Sequence, residues 1–252
     1  INKILNLSNK DLKSLRLVCK EFNKIFHIKS LILTEDVKLT DSQASKIEYV
    51  KIIDIKLWDP IKYKNVIYLN CFDKNVKDED ISSLNLKKLW CENCELLTNK
   101  CLNNSKQLEL LNCLHTNINL DKNTSHLKKL YSEYINTSIP SLTLLNINMF
   151  IFEHVNNLKN LLTLVINTGV ANKLYDYPIN LPHLKYLGIH NVVITDKFLE
   201  KLPELETLVI VSQEYVTDVG ISFLKNLKYL SCQWCRNISI NVSSKYKYKN
   251  IR

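Results

Sequence analysis

Apolar residues along this chain fall into a six-residue block, apolar-x-x-apolar-x-apolar, that recurs through almost the whole sequence. It reads Leu86-Lys-Lys-Leu89-Trp-Cys91, Leu108-Glu-Leu-Leu111-Asn-Cys113, Leu127-Lys-Lys-Leu130-Tyr-Ser132 and Leu142-Thr-Leu-Leu145-Asn-Ile147. It continues as Leu161-Leu-Thr-Leu164-Val-Ile166, Leu184-Lys-Tyr-Leu187-Gly-Ile189, Leu205-Glu-Thr-Leu208-Val-Ile210 and Leu227-Lys-Tyr-Leu230-Ser-Cys232. Looser copies start at Ile28, Val50 and Val66. From Leu86 onward the starts lie 22, 19, 15, 19, 23, 21 and 22 residues apart. A period of that length holds one short strand and its return segment. The intervals of 15 and, before Val66, 16 residues leave no room for a full helix and predict a tight return loop.

The fourth and sixth residues of each block share one face of a strand, because side chains alternate along extended backbone. Buried against the next copy, they predict parallel strands stacked coil upon coil, with the sheet on the inner face of an arc. Several returns carry helical spacing. In Ile194-Thr195-Asp196-Lys-Phe198-Leu199 the threonine stands as a cap ahead of apolar residues, Val216-Thr217-Asp218-Val-Gly220-Ile221 repeats it, and Leu97-Thr98-Asn99-Lys-Cys101-Leu102 is a third copy. The residues that alternate away from the buried ones are Lys88, Trp90 and Glu92, then Lys129, Tyr131 and Glu133, then Tyr186, His190, Tyr229 and Gln233. Aromatic side chains on a rigid sheet make good anchors for a partner, so these residues form the candidate target-binding face.

The block and its returns resemble leucine-rich repeats of the cysteine-containing subfamily, whose strand ends "L-x-L-x-x-C" and whose helix opens "ITD-x-G-L". The resemblance implies an α/β leucine-rich-repeat solenoid over residues 28–252, with sheet inside and helices and loops outside. It implies a surface for binding another protein, with no catalytic site and no cofactor.

Composition narrows the field. Three glycines and five prolines leave no glycine-rich phosphate cradle. The net charge of +9 admits nucleic acid or an anionic membrane, but the lysines are spread along the chain and no reading element accompanies them, so neither is expected as a partner. The terminal Lys245-Tyr-Lys-Tyr-Lys249 interleaves cations with aromatics and reads as an edge segment. Heavy use of Asn, beside Lys and Ile, reads as the coding bias of an AT-rich genome. No secretory leader and no apolar run of spanning length occur, so a cytoplasmic or nuclear protein is expected, in a host cell if the source is viral.

Two C-x-x-C pairs, Cys91/Cys94 and Cys232/Cys235, suggest zinc, which needs four ligands brought together. The pairs lie several coils apart, Cys91 and Cys232 end strand blocks, and Cys94 and Cys235 sit where a repeat must satisfy buried backbone groups. The core reading is therefore expected, with free thiols and no metal. The six histidines show no ligand spacing.

Residues 1–27 break the repeat. Ser8-Asn9-Lys10-Asp11 is a capping box, and Leu12, Leu15, Cys19, Phe22 and Phe26 mark one helix face, either as a cap on the first repeat or as something more. The stretch from Ile4 through Asn23 resembles the second half of an F-box, "I-L-x-x-L-x-x-x-D-L-x-x-L-x-x-V-C-[KR]-x-[WF]-[NR]", closest over 11–23. The family's "L-P-x-E" opening and first helix are not in the sequence, which starts at Ile1. This resemblance implies docking on a Skp-type adaptor of a cullin–RING ubiquitin ligase through Leu5, Leu12, Leu15, Val18, Cys19 and Phe22, with the repeats holding the protein to be ubiquitinated. The alternative is a repeat module acting outside ubiquitination, its first helix serving only as a cap.

Overall fold

The computed structural model describes residues 30–33, 39–120, 124, 126–149, 152–168, 174–176, 178–239, 241 and 246–248. The chain divides into two units, Ile1–Asn119 and Leu120–Arg252. The segment 1–27, with its F-box-like stretch, lies outside the described residues.

In the first unit, strands β1 (Ser30–Leu33), β2 (Tyr49–Ile52), β3 (Tyr68–Cys71), β4 (Lys88–Trp90) and β5 (Leu110–Asn112) pair in parallel in chain order. The returns hold single helical turns, α1 (Asp41–Ala44) and α2 (Asp78–Ile81), and 3-10 turns at Ile55–Leu57 and Asn99–Leu102. The register keeps one rung of the ladder on one residue type: Val50, Leu69, Leu89 and Leu111 face each other strand to strand and are fully buried.

In the second unit the strands are β6 (Lys129–Ser132), β7 (Leu144–Ile147), β8 (Thr163–Asn167), β9 (Leu174–Tyr175), β10 (Tyr186–His190), β11 (Val193–Ile194), β12 (Thr207–Val211), β13 (Tyr229–Gln233) and β14 (Lys247–Tyr248). All but β9 and β11 follow one another in a parallel sheet, and those two pair separately on the return side. Leu130, Leu145, Leu164, Leu187, Leu208 and Leu230 form the inner rung, each fully buried. The single-turn helices are α3 (Phe152–Val155), α4 (Asp196–Leu199) and α5 (Asp218–Ser222).

This is a leucine-rich-repeat fold. One coil cannot bury its own leucines, and stacking supplies the cover; each buried aliphatic side chain stabilises by about 1.5–3 kcal/mol against remaining in water. Chain reversal is the same after five of the strands. Asn93, His115, Asn191, Ser212 and Trp234 all have φ between 53° and 63°, and each stands two residues past an inward strand-end side chain. The left-handed region turns the backbone at these five positions, and Asn tolerates it better than Trp.

Four expectations need correction. The copy placed at Val50 begins instead at Ile47: Val50 and Ile52 are the inward pair, and Ile53, which the earlier frame buries, is 40% exposed. Alternation along the strand decides this, since a frame three residues off reverses every side chain. The interval before Val66 is then 19 residues, whereas the interval of 15 before Leu142 stands and is bridged without a helix. Secondly, the helical returns are single turns of four or five residues, and the one after Thr98 is 3-10.

Thirdly, Thr195 occupies the cap position without capping. Its Oγ1 donates to Asp176 Oδ1 at 2.7 Å, while Thr217 and Thr98 do accept from backbone N–H groups of their own turns. Lastly, Asn abundance is more than coding bias. Asn65, Asn104, Asn117, Asn160, Asn226 and Asn237 each donate from Nδ2 to a backbone carbonyl 20–23 residues earlier, at 2.6–2.9 Å. A second ladder lies beside it. Asp78 accepts from Thr98 N–H and Oγ1 (2.8 and 2.6 Å), and Asp196 from Thr217 N–H and Oγ1 (both 2.7 Å). In both sets the later coil donates and the earlier coil accepts.

Candidate functional site

The surface with something to offer a partner is the side of each sheet opposite the leucine rung. In the second unit, β6 places Lys129 (exposed), Tyr131 and Glu133 there; β10 places Tyr186 and His190, and β13 places Tyr229 and Gln233, all half-buried. The face is well tied down. Glu133 Oε2 accepts from Asn148 Nδ2 (3.1 Å), and Asn146 Oδ1 accepts from Asn167 Nδ2 (3.3 Å). Tyr186 lies back over Gly188, where an added Cβ would sit 3.3 Å from its ring. Along the rim, Glu206 bridges Lys228 (2.7 Å) and Lys185 (3.9 Å), and hydrogen bonding and charge from Lys228 hold its carboxyl below the usual range.

In the first unit Lys88, Trp90 and Glu92 lie where the block predicts, opposite the fully buried Leu89 and Cys91. They are joined by Tyr49, Lys51 and Ile53 on and after β2, which the frame at Val50 hides, and by Tyr68, Asn70 and Phe72 on and after β3, which the frame at Val66 already turns outward. Register aligns Tyr49, Tyr68 and Lys88 in one row and Lys51, Asn70 and Trp90 in the next. Phe72 is 59% exposed. Two lysines lean onto aromatic faces, Lys51 Nζ at 4.2 Å from the Phe72 ring centre and Lys88 Nζ at 4.6 Å from that of Tyr68. Counting the coil from Ile47 adds Tyr49 and Lys51 to this face.

The sequence places the adaptor-contact residues Leu5, Leu12, Leu15, Val18, Cys19 and Phe22 in the segment outside the described residues.

The cysteines pack inward. Cys71, Cys91, Cys94, Cys101, Cys113, Cys232 and Cys235 are free and buried. Cys91 Sγ is 3.2 Å from the Asn112 carbonyl, Cys94 Sγ 3.5 Å from that of Asp73, and Cys235 Sγ 3.4 Å from that of Gln233. Burial pushes the Cys91 and Cys101 thiols up, and a hydrogen bond to Cys94 together with burial does the same for Cys71. These three thiols, held protonated in an apolar interior, are poor nucleophiles, while the hydrogen bond with Cys71 moves Cys94 downward. Among the described residues no group of His, Cys, Asp or Glu is arranged to hold a metal ion, and no helix is long and apolar enough to cross a membrane.

No family model matches the sequence, and no curated protein matches it. Solved structures do. An internalin, InlF, of Listeria monocytogenes aligns over 84% of this chain and 69% of its own, with 20% identity and a TM-score of 0.54. The functional domain of InlJ from the same organism, which includes a cysteine ladder, aligns over 91% of this chain and 64% of its own, with 18% identity and a TM-score of 0.51. The chain thus spans about two thirds of each, and likeness at this identity is one of fold.

Proposed function

We propose that this chain is a protein-binding module that receives its partner on the sheet face opposite the leucine rung and carries out no reaction of its own. The observation that carries the reading is the contrast across strands β3, β4, β6, β10 and β13: inner leucines fully buried, outer residues presenting Tyr68, Trp90, Tyr131, Tyr186 and Tyr229 on hydrogen-bonded sheet. Rigid amphipathic rings bind at low entropic cost. A photo-crosslinking amino acid placed at Trp90, Tyr131 or Tyr186 should give discrete protein adducts in cells. The same probe at the exposed return positions Lys46, Lys106 and Lys225 should give none. Adducts from the return side alone would overturn the reading.

The finer form of the proposal is a substrate receptor of an SCF-type ubiquitin ligase, working in the cytoplasm or nucleus. It is favoured by the F-box-like stretch 11–23, whose Leu12, Leu15, Val18, Cys19 and Phe22, with Leu5 before them, would seat in a Skp-type adaptor. Retention of a Skp adaptor by the chain, lost in Leu12→Asp and Val18→Asp, is the expected result. No adaptor bound by the parent chain would leave the module acting outside ubiquitination.

A further inference from the structure

We infer that the first unit's outer face is a docking site for an extended acidic peptide with two carboxylates four residues apart and an aromatic residue midway; this rests on the protein-binding reading and names the chemistry of the partner. The argument starts at β3. Tyr68, Asn70 and Phe72 share its outer side, and the strand rise of about 3.3 Å per residue sets Tyr68 and Phe72 about 13 Å apart. Lys88 comes from the strand on one side and Lys51 from the strand on the other, yet both lean toward β3, Lys88 over Tyr68 and Lys51 over Phe72. The two ammonium groups therefore stand over opposite ends of one strand, with Asn70 between them and Trp90 beside Asn70 in register.

An extended peptide has the same rise, so its first, third and fifth side chains meet this arrangement in turn: carboxylate, ring, carboxylate. Stacking on the rings restricts the lysines before the ligand arrives, which lowers the ordering cost of binding. Glu92, at the β4 corner, accepts from Asn112 Nδ2 at 3.4 Å and lies past Trp90, outside the line joining the two lysines. Nucleic acid fits less well. Residues 39–120 hold eleven lysines and eleven acidic side chains, so this stretch carries no net positive charge and lacks the broad basic footprint a phosphate backbone needs.

The test uses the whole chain and a fluorescein-labelled seven-residue peptide, blocked at both ends, with glutamate second and sixth, tyrosine fourth and serine elsewhere. Expected are saturable anisotropy binding that weakens with salt, and at least a five-fold loss when the glutamates are moved to two apart or changed to glutamine. Lys51→Glu and Lys88→Glu, both at solvent-facing positions, should each cost at least five-fold with unchanged thermal melting. Three results would overturn the inference: no binding at millimolar peptide, binding indifferent to glutamate spacing, or tighter binding of a thymidine oligonucleotide of similar length. If the peptide fails while crosslinks at Trp90, Tyr131 or Tyr186 persist, the acidic chemistry is wrong and the module stands. If those crosslinks are missing as well, the binding reading itself falls.

Discussion

The two units solve one packing problem with different materials. At the strand-end inward position the first unit uses Leu33 and Ile52 and then Cys71, Cys91 and Cys113, and the second uses Ser132, Ile147, Ile166, Ile189, Ile210 and Cys232, all buried. Three residues further on, Cys94 in the first unit corresponds to Gln213 and Cys235 in the second. Cys94 offers only weak sulfur contacts to carbonyls, whereas Gln213, 1% exposed, accepts from Ile194 N–H (3.0 Å) and donates to the carbonyls of Val192 (2.6 Å) and Val211 (3.0 Å). The outer faces diverge further: lysine-capped aromatic rings in one, tyrosines with an amide ladder in the other. The inner surface asks for volume and a satisfied backbone, which several residues can supply. The outer surface answers to no such constraint and is where the units acquire separate chemistry.

The comparison breaks most visibly in the leucine rung. Leu89→Ala and Leu208→Ala, both at fully buried positions, should each cost about 2–5 kcal/mol. Hydrogen exchange should show protection lost chiefly in the unit that carries the change; equal losses in both would remove the division into two units.

A smaller difference separates Gln213→Leu from Cys94→Ala. The first leaves the Ile194 N–H and the Val192 carbonyl without their partners and should cost about 1–3 kcal/mol in urea unfolding, the second about 1 kcal/mol or less. A larger cost at Cys94 would mean that the thiol contacts matter more than their geometry suggests.

Gly220 sharpens the contrast again. Helix propensity alone favours alanine by about 1 kcal/mol, but a methyl group there would overlap the Asp196 carboxylate and lie 3.0 Å from its Cα. Gly220→Ala should therefore destabilise by about 1–2 kcal/mol, and less in an Asp196→Ser background. Cys101 occupies the matching position in the first unit, where the turn is 3-10, so Cys101→Ala should carry no such clash.

The smallest effect is acid sensitivity. Backbone N–H groups of Ile55 and Asn75 hold the Asp73 carboxyl below its ordinary 3.8, and Thr195 and Lys197 do the same for Asp176. A depressed folded value means stability that is present above the ordinary value and lost as pH falls through the folded one. Melting temperature should drop between about pH 5 and pH 3, and drop less in Asp73→Asn; identical curves would exclude Asp73.

The leucine spacing made the fold legible, because burial repeats at one position per coil and tolerates no substitute of different character. It also placed Lys88, Trp90, Tyr131 and Tyr186 on the outer side. Tyr49 and Lys51 are hidden in the sequence because their coil begins with Ile47-Glu-Tyr-Val50, where more than one apolar residue can serve as the start; Tyr68 and Phe72 follow from the coil at Val66, and only the strand register shows that Lys51 and Lys88 flank them. The Asn and Asp ladders were hidden for another reason: they link residues some 20 positions apart through groups that a hydropathy pattern counts only as polar. Helix length was misjudged because a threonine cap and two apolar residues signal where a turn starts and say nothing of where it stops.

The direction of those ladders has a consequence for how the molecule is made. Each Asn amide reaches backward to a carbonyl already synthesised, as Asn237 does to Glu214 and Asn226 to Pro203. A nascent chain thus brings these windings to the growing stack with their own fasteners, and the carbonyls that receive them have already left the ribosome. Closure can follow the order of translation, one winding at a time, without waiting for the far end of the message.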